Sequence, residues 1–159
     1  MDIRKAEIKD IDSIISLIQM RIDWMDEVGL CQWNKTDYLG VYTREYFEKG
    51  INEGSFFIAE ENGEAVGTMA LYRHDPRWED GLDSVYVHHL TAKPGKKGVG
   101  RELIAFAEQY AKDIPVPMIR LDSDVDNKKL ADYYEPMGYA PVGYCVDGVY
   151  KGILREKRF

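Results

Sequence analysis

The sequence predicts a mixed α/β domain built on one largely antiparallel sheet, and three observations support this. Stretches with apolar residues at every third or fourth position alternate with short stretches of strand-forming residues. Their predicted order is strand, two helices, three strands, helix, strand, helix and two strands. Hairpins therefore flank a central strand–helix–strand crossover, whose helix follows a glycine-rich loop. Without a linker or an internal repeat, residues 1–159 are expected to form a single domain.

About four helices are expected. In the first, the apolar positions recur at helical spacing and are Ile11, Ile14, Ile15, Ile18, Ile22 and Met25. Asp10 or Asp12 is its candidate cap, and Gly29 marks its end. Residues 30–42 are expected to be irregular and are rich in aromatic side chains. The predicted helices span residues 10–27, 43–52, 98–112 and 126–137. Pro136 is expected to distort the last turn of the fourth helix, because it has no N–H to donate.

Seven strands are expected, and turn residues separate several of them. Asn62-Gly63 and Asp147-Gly148 both predict hairpin turns, because a type I′ turn requires positive φ at its two central residues. Pro115 and Pro117 frame the start of the fifth strand. The predicted strands span residues 1–6, 55–60, 65–72, 82–92, 116–122, 139–146 and 149–156.

Composition excludes several classes of function. The net charge of −7 argues against sequence-independent nucleic-acid binding and slightly favours a cationic partner. Cys31 and Cys145 fit free thiols in a reducing compartment. The N-terminus lacks the apolar run of a signal peptide, and no segment approaches the ~20 apolar residues of a spanning helix. We therefore expect a cytoplasmic protein that does not bind membranes. Adjacent His88 and His89 face opposite sides of a strand, so no metal site is expected.

The loop that contains Gly95, Gly98 and Gly100 is the strongest functional signal. It lies between an apolar strand and a helix, so backbone N–H groups and the helix N-terminus are available to a phosphate or pyrophosphate. The glycine order is the reverse of the dinucleotide-binding G-x-G-x-x-G, although Asp122 lies at a suitable distance for a ribose-binding acid. No series of βα units follows the loop, which argues against a dinucleotide-binding fold. A Walker A loop is excluded because neither Gly-Lys-Ser nor Gly-Lys-Thr occurs in the sequence.

Two motifs in this region resemble the GNAT superfamily of N-acetyltransferases. Gly98-Val99-Gly100 matches the small positions of the family's acetyl-CoA motif. Gly95 stands where the family has Arg or Gln, so one side-chain contact is lost while the backbone cradle remains. The second motif is matched by Asn127, Leu130-Ala131, Tyr134 and Gly138-Tyr139. The seven residues from Asn127 to Tyr134 are expected to place both on one helix face. The loop Gly29-Leu30-Cys31-Gln32-Trp33 resembles a subgroup of small bacterial members.

The resemblance implies acetyl-CoA as co-substrate and an amine as acceptor, without a metal. It assigns Tyr134 as general acid. His89 is a candidate proton relay, and Glu79, Asp80 and Asp83 are alternative bases. The predicted cofactor-binding residues are Leu90, Thr91, Ala92, Lys97, Gly98, Val99, Gly100, Arg101 and Asn127. Leu90 would offer its backbone N–H to the thioester oxygen. The predicted acceptor wall contains Trp24, Trp33 and Tyr38, and Tyr42 and Tyr46 are further candidates.

Other functions stay open at this point. A GNAT-fold protein that binds an acyl-CoA, or senses it, without turnover is the main alternative to a small-molecule or peptide N-acetyltransferase. A nucleotide-binding module that uses the same glycine loop is the third. A homodimer, paired through the edge of the C-terminal hairpin, is expected by analogy alone.

Overall fold

The computed structural model describes residues 1–159 and contains five α-helices and seven strands. The helices are α1 (Ile11–Val28), α2 (Tyr38–Val41), α3 (Arg44–Asn52), α4 (Val99–Asp113) and α5 (Lys128–Tyr134). The strands are β1 (Asp2–Lys5), β2 (Phe56–Glu61), β3 (Glu64–Tyr72), β4 (Val85–Ala92), β5 (Met118–Asp124), β6 (Ala140–Asp147) and β7 (Tyr150–Arg158). Short 3₁₀ turns span Ile8–Asp10 and Glu135–Met137. The predicted fold class, a mixed and mostly antiparallel sheet with a strand–helix–strand crossover, is confirmed.

The hydrogen-bonded strand order is β1-β2-β3-β4-β5-β7-β6. Backbone contacts divide the chain into two compact units. The first unit contains Met1–Leu71 and His88–Phe106, and the second contains Tyr72–Val87 and Ala107–Phe159. That residues 1–159 form a single domain stays a prediction.

In the first unit, β1 and β2 pair antiparallel, and so do β2 and β3. The β2–β3 hairpin turns at Asn62 and Gly63, whose φ angles of 52° and 77° are those that the Asn-Gly pair predicts. Helix α1 buries Ile14 and Ile18 completely, and Gly29 ends it with a φ of 76°, in the left-handed conformation that favours glycine. Thr43 caps α3 by accepting a hydrogen bond from the N–H of Tyr46.

Asp10 is a candidate cap of α1 by sequence, but its side chain makes no capping hydrogen bond. Its carboxylate accepts hydrogen bonds from the Arg4 guanidinium at 2.8 and 3.0 Å and from the N–H of Glu7 at 2.8 Å. The Arg4 guanidinium holds the pKa of the Asp10 carboxyl below its usual value. Asp10 therefore joins β1 to the start of α1 instead of satisfying the first turn of the helix.

In the second unit, the start of β4 pairs parallel with β5, in the register Val85↔Ile119 and Tyr86↔Arg120. The crossover from β4 to β5 runs through α4, as the sequence predicts. Antiparallel pairing of β5 with β7, and of β7 with β6, completes the unit. The turn between β6 and β7 contains Gly148, which has a φ of 60°.

Among the differences from the sequence predictions, three boundary shifts and one additional helix have a local reason. Strand β4 begins at Val85 instead of residue 82, because the N–H of Leu82 bonds the Asp80 carboxylate in a turn. Strand β5 begins after Pro117, which has no N–H for the ladder. The fourth predicted helix ends at Tyr134, and Pro136 lies in the 3₁₀ turn that follows. Residues 30–42, expected to be irregular, contain α2. No helix has both the length and the apolar composition needed to span a bilayer.

Candidate active site

The glycine loop between β4 and α4 leaves open space where the sequence predicts a phosphate. Gly95 and Gly98 both have a φ of 85°, and a Cβ added at either position would meet no atom within 4 Å. The N–H of Glu102 donates to the carbonyl of Gly98 at 3.1 Å, so the helical hydrogen bonds begin there. The N–H groups of the first turn before Glu102 have no acceptor within the helix. An open cradle at a helix N-terminus fits a pyrophosphate.

The lysines of this loop are not equivalent. Lys93 pairs with Glu64. The Nζ of Lys96 lies 2.9 Å from Glu61, and the hydrogen bond to this carboxylate, together with its charge, raises the pKa of Lys96. Lys97 has no acidic partner and is exposed. Of the three, Lys97 is therefore the one whose charge is available to an anion without breaking an ion pair.

Gly67 on β3 positions the first turn of α4, a role not predicted from the sequence. A Cβ at Gly67 would lie 2.6 Å from Cγ1 of Val99, 2.9 Å from Cδ1 of Leu103 and 3.1 Å from the carbonyl oxygen of Thr91. Only glycine lets the helix start approach the strand this closely. A glycine inside an otherwise apolar strand is the signal that could have indicated it.

His89 is the centre of the second feature of the first unit. It has a φ of 54°, a left-handed conformation that is uncommon for residues other than glycine and that often marks a functional site. Its side chain is buried, and both ring nitrogens bond tyrosine hydroxyls. Nδ1 contacts the hydroxyl of Tyr38, and Nε2 lies 2.9 Å from the hydroxyl of Tyr46. A neutral imidazole has one N–H and one lone pair, so in that form one tyrosine donates to the ring and the other accepts from it.

Four aromatic rings form a continuous row beside His89, and we call it the aromatic row. Trp33 stacks on Tyr38 at 4.4 Å, and Tyr38–Tyr42 and Tyr42–Tyr46 are both 4.8 Å apart. Two of the three predicted wall residues, Trp33 and Tyr38, thus belong to one group. The third, Trp24, lies outside the row, and its ring stacks against the Arg21 guanidinium at 4.6 Å.

The predicted cofactor strand, Leu90 to Ala92, is held from two sides. Thr91 is buried, and its hydroxyl donates to the carbonyl of His89 at 2.9 Å. The carbonyl of Ala92 accepts a hydrogen bond from Arg21. Leu90 and Ala92 are partly exposed. These contacts fix the backbone of the strand just ahead of the glycine loop.

Two predicted site residues, Tyr134 and Asn127, belong to the second unit. Tyr134 ends α5, where its ring packs edge-on against Tyr133 and Tyr139 at 5.1 and 6.0 Å. It is 8% exposed, and its hydroxyl has no hydrogen-bond partner in the protein. Burial raises the pKa of Tyr134, so the phenol stays protonated at neutral pH.

The sequence prediction for Asn127 is wrong in one respect. Asn127 is the residue before α5 and has φ −93° and ψ 84°, so it is not helical. The expected shared helix face with Tyr134 therefore does not exist. Asn127 instead makes backbone bonds, donating to the carbonyl of Asp124 at 3.2 Å and accepting from the N–H of Leu130 at 3.1 Å.

A sheet with a β4–α4–β5 crossover and a glycine-lined helix start defines an α/β fold with a phosphate-binding loop, and comparison with known proteins identifies the family. The model of the acetyltransferase (GNAT) family matches residues 23–139, which is more than half of the chain. The chain therefore belongs to the GNAT family of acetyltransferases.

Relatives named as N-acetyltransferases support the same assignment. The uncharacterized N-acetyltransferase YesJ of Bacillus subtilis is 24% identical over 152 residues, which are 90% of this chain and 83% of the relative. The uncharacterized N-acetyltransferase YhfO of the same organism is 31% identical over 104 residues, covering 60% of this chain and 68% of the relative.

Solved structures agree in fold. A GNAT-family acetyltransferase from Listeria monocytogenes superposes with a TM-score of 0.81 at 26% identity, over 99% of this chain and 94% of the other. The PaiA N-acetyltransferase from Thermoplasma acidophilum, solved with coenzyme A, gives a TM-score of 0.80 at 20% identity, over 99% and 98%.

Proposed function

We propose that the chain is an acetyl-CoA-dependent N-acetyltransferase that moves the acetyl group directly to the primary amine of an acceptor. The observation that carries the proposal is the open cradle at the start of α4, where Gly98 leaves free space at a helix N-terminus. Membership in the GNAT family supports the reaction class. A cytoplasmic location and a homodimer stay predictions.

Residues of the first unit would hold the cofactor. Backbone N–H groups from Lys97 to Arg101, together with the free cation of Lys97, suit the pyrophosphate. The backbone of Leu90, Thr91 and Ala92 suits the amide-bearing pantetheine arm, which can pair with a strand as another strand does. When bound, acetyl-CoA supplies a thioester carbonyl, and the N–H of Leu90 would stabilise negative charge on its oxygen. Asn127 is a further proposed cofactor-binding residue.

The acceptor amine must lose a proton before it can attack, because an ammonium group has no lone pair. His89 is the candidate acceptor of that proton. Since both of its nitrogens bond tyrosine hydroxyls, the proton would reach the ring through Tyr38 or Tyr46 and not by direct contact. Rings of the aromatic row beside these hydroxyls, above all Trp33, would form the acceptor wall.

Tyr134 is the proposed general acid for the departing thiolate. One observation supports it: the hydroxyl has no hydrogen-bond partner in the protein that would compete for its proton. A protonated donor without a competing acceptor is what a leaving thiolate needs.

The test is a calorimetric titration of the protein with acetyl-CoA, with ATP and NAD as matched nucleotide controls. We expect acetyl-CoA alone to bind, with a dissociation constant of about 1 μM, the lower end of the range of typical KM values. A panel of amines is then assayed by release of free thiol. Binding without thiol release across the panel would favour an acyl-CoA-binding or sensor protein. Binding of ATP or NAD but not acetyl-CoA would refute the proposal.

A further inference from the structure

Arg21 on α1 is a partly buried guanidinium beside the predicted cofactor strand. It donates one hydrogen bond to the carbonyl of Ala92, and its Cζ lies 4.6 Å from the centre of the Trp24 ring. A guanidinium has five N–H donors, so most of them are not used by these contacts. Desolvation lowers the pKa of Arg21, although an arginine remains charged at neutral pH.

No carboxylate lies within salt-bridge distance of Arg21, in contrast to most arginines of this protein. Seven others have a carboxylate oxygen between 2.5 and 3.4 Å away, and they are Arg4, Arg44, Arg73, Arg77, Arg120, Arg155 and Arg158. A charge withdrawn from water without a counter-ion is costly. An anionic oxygen from a ligand would satisfy both the charge and the free donors of Arg21.

The position of Arg21 indicates which ligand supplies that oxygen. Its partner Ala92 ends β4, along which the proposed function places the pantetheine arm, with the thioester at the N–H of nearby Leu90. The phosphate cradle begins at Gly98, farther along the loop, and has donors of its own. Resting on the proposed function, we propose that Arg21 binds a carboxylate of the acceptor. The acceptor is then an amine that carries a carboxylate, as an amino acid does.

The test compares pairs of N-acetylated products that differ only in the carboxylate. N-acetyl derivatives of several α-amino acids, and the N-acetyl amines that lack the carboxylate, are titrated into the protein in the presence of coenzyme A. We expect at least one N-acetyl amino acid to bind about tenfold tighter or more than the matched N-acetyl amine without the carboxylate. A difference of this size is the effect of a hydrogen bond to a charged group. Arg21→Met should abolish this preference, and Arg21→Lys should retain part of it. Arg44→Met, at an exposed surface arginine, should leave it unchanged.

Each remaining outcome is decisive. Equal affinity for acids and matched amines, or no binding of either, would overturn the carboxylate site. Weaker coenzyme A binding in Arg21→Met, with the preference for acids kept, would assign Arg21 to a cofactor phosphate. The measurement is independent of turnover. If N-acetyl amino acids bind through Arg21 but the protein never forms them from acetyl-CoA, the proposed function is refuted and the carboxylate site stands. If the protein transfers the acetyl group only to amines that lack a carboxylate, this inference is refuted and the proposed function stands.

Discussion

Replacing Gly67 by alanine tests whether the start of α4 holds the cofactor. The added Cβ would lie 2.6 Å from Cγ1 of Val99, whereas ordinary contacts begin at 3.4 Å, so the two must separate by about 0.8 Å. Val99 is buried and β-branched, so its side chain cannot rotate away cheaply. Thr91 contributes a backbone oxygen at 3.1 Å, which leaves the helix start as the part that moves.

The expected effects follow from that displacement. Overpacking of this kind costs about 1–3 kcal/mol of folding free energy, and each kcal/mol lowers Tm by about 2–4 °C in a domain of this size. A displacement of about 0.8 Å would lengthen a hydrogen bond of ~2.9 Å beyond its useful range. We therefore expect the Kd of acetyl-CoA to rise about tenfold or more.

Calorimetric titration and thermal unfolding measure both effects. The matched control is Gly143→Ala, because a Cβ at this strand glycine would lie 3.6 Å from Cδ1 of Leu154, an ordinary contact. The control should change neither Tm nor Kd. If Gly67→Ala leaves both Tm and Kd unchanged, the added Cβ and Val99 separate without a cost in folding free energy, which would refute the reasoning. A lower Tm with unchanged Kd would show that the first turn of α4 does not bind the cofactor.

Substitutions at Tyr134, Gly98 and Asp10 test the proposed general acid, the phosphate cradle and the Arg4–Asp10 ion pair. Tyr134→Phe should lower kcat about 100-fold or more with little change in the Kd of acetyl-CoA, and unchanged steady-state turnover would remove Tyr134 from the mechanism. Gly98→Val should raise that Kd, since a side chain at a φ of 85° is strained and fills the open cradle; equal affinity would place the phosphates elsewhere. Asp10→Asn should lower the unfolding free energy by about 1–3 kcal/mol at pH 7. Because Arg4 lowers the folded-state pKa, this contribution exists above the usual Asp pKa of 3.8 and disappears as pH falls through the lowered value. Denaturant titrations of the wild type and the variant should therefore converge in acid, and a gap that does not narrow would contradict this.

Features set by local sequence were predictable. The spacing of apolar residues predicted α1, and Asn62-Gly63 predicted the first hairpin, because both depend on neighbours within a few positions. The glycine loop was recognisable for the same reason. Its flanking strand and helix supply the context that distinguishes it from an ordinary turn.

Features set by contacts between distant segments were not predictable. The hydroxyls that bond His89 come from residues 51 and 43 positions away, and the carbonyl that Arg21 contacts lies 71 positions along the chain. Nothing in local periodicity brings these groups together. Seven-residue spacing likewise suggested that Asn127 shares a helix face with Tyr134, but the helix begins one residue after Asn127.

The glycine at position 95 changes how this loop can bind a cofactor. Its φ of 85° would cost an Arg or Gln side chain about 1–2 kcal/mol, so the loop in this conformation disfavours the residue that the family pattern has there. Backbone hydrogen bonds fix the path of the loop before and after Gly95. The backbone N–H of Lys93 donates to the carbonyl of Val66 at 2.8 Å, and the backbone N–H of Lys96 donates to the carbonyl of Lys93 at 3.1 Å. Affinity must then come mainly from backbone N–H groups at the start of α4. For that reason, changes in the backbone geometry at Gly67 and Gly98 should matter more than the loss of any single cation.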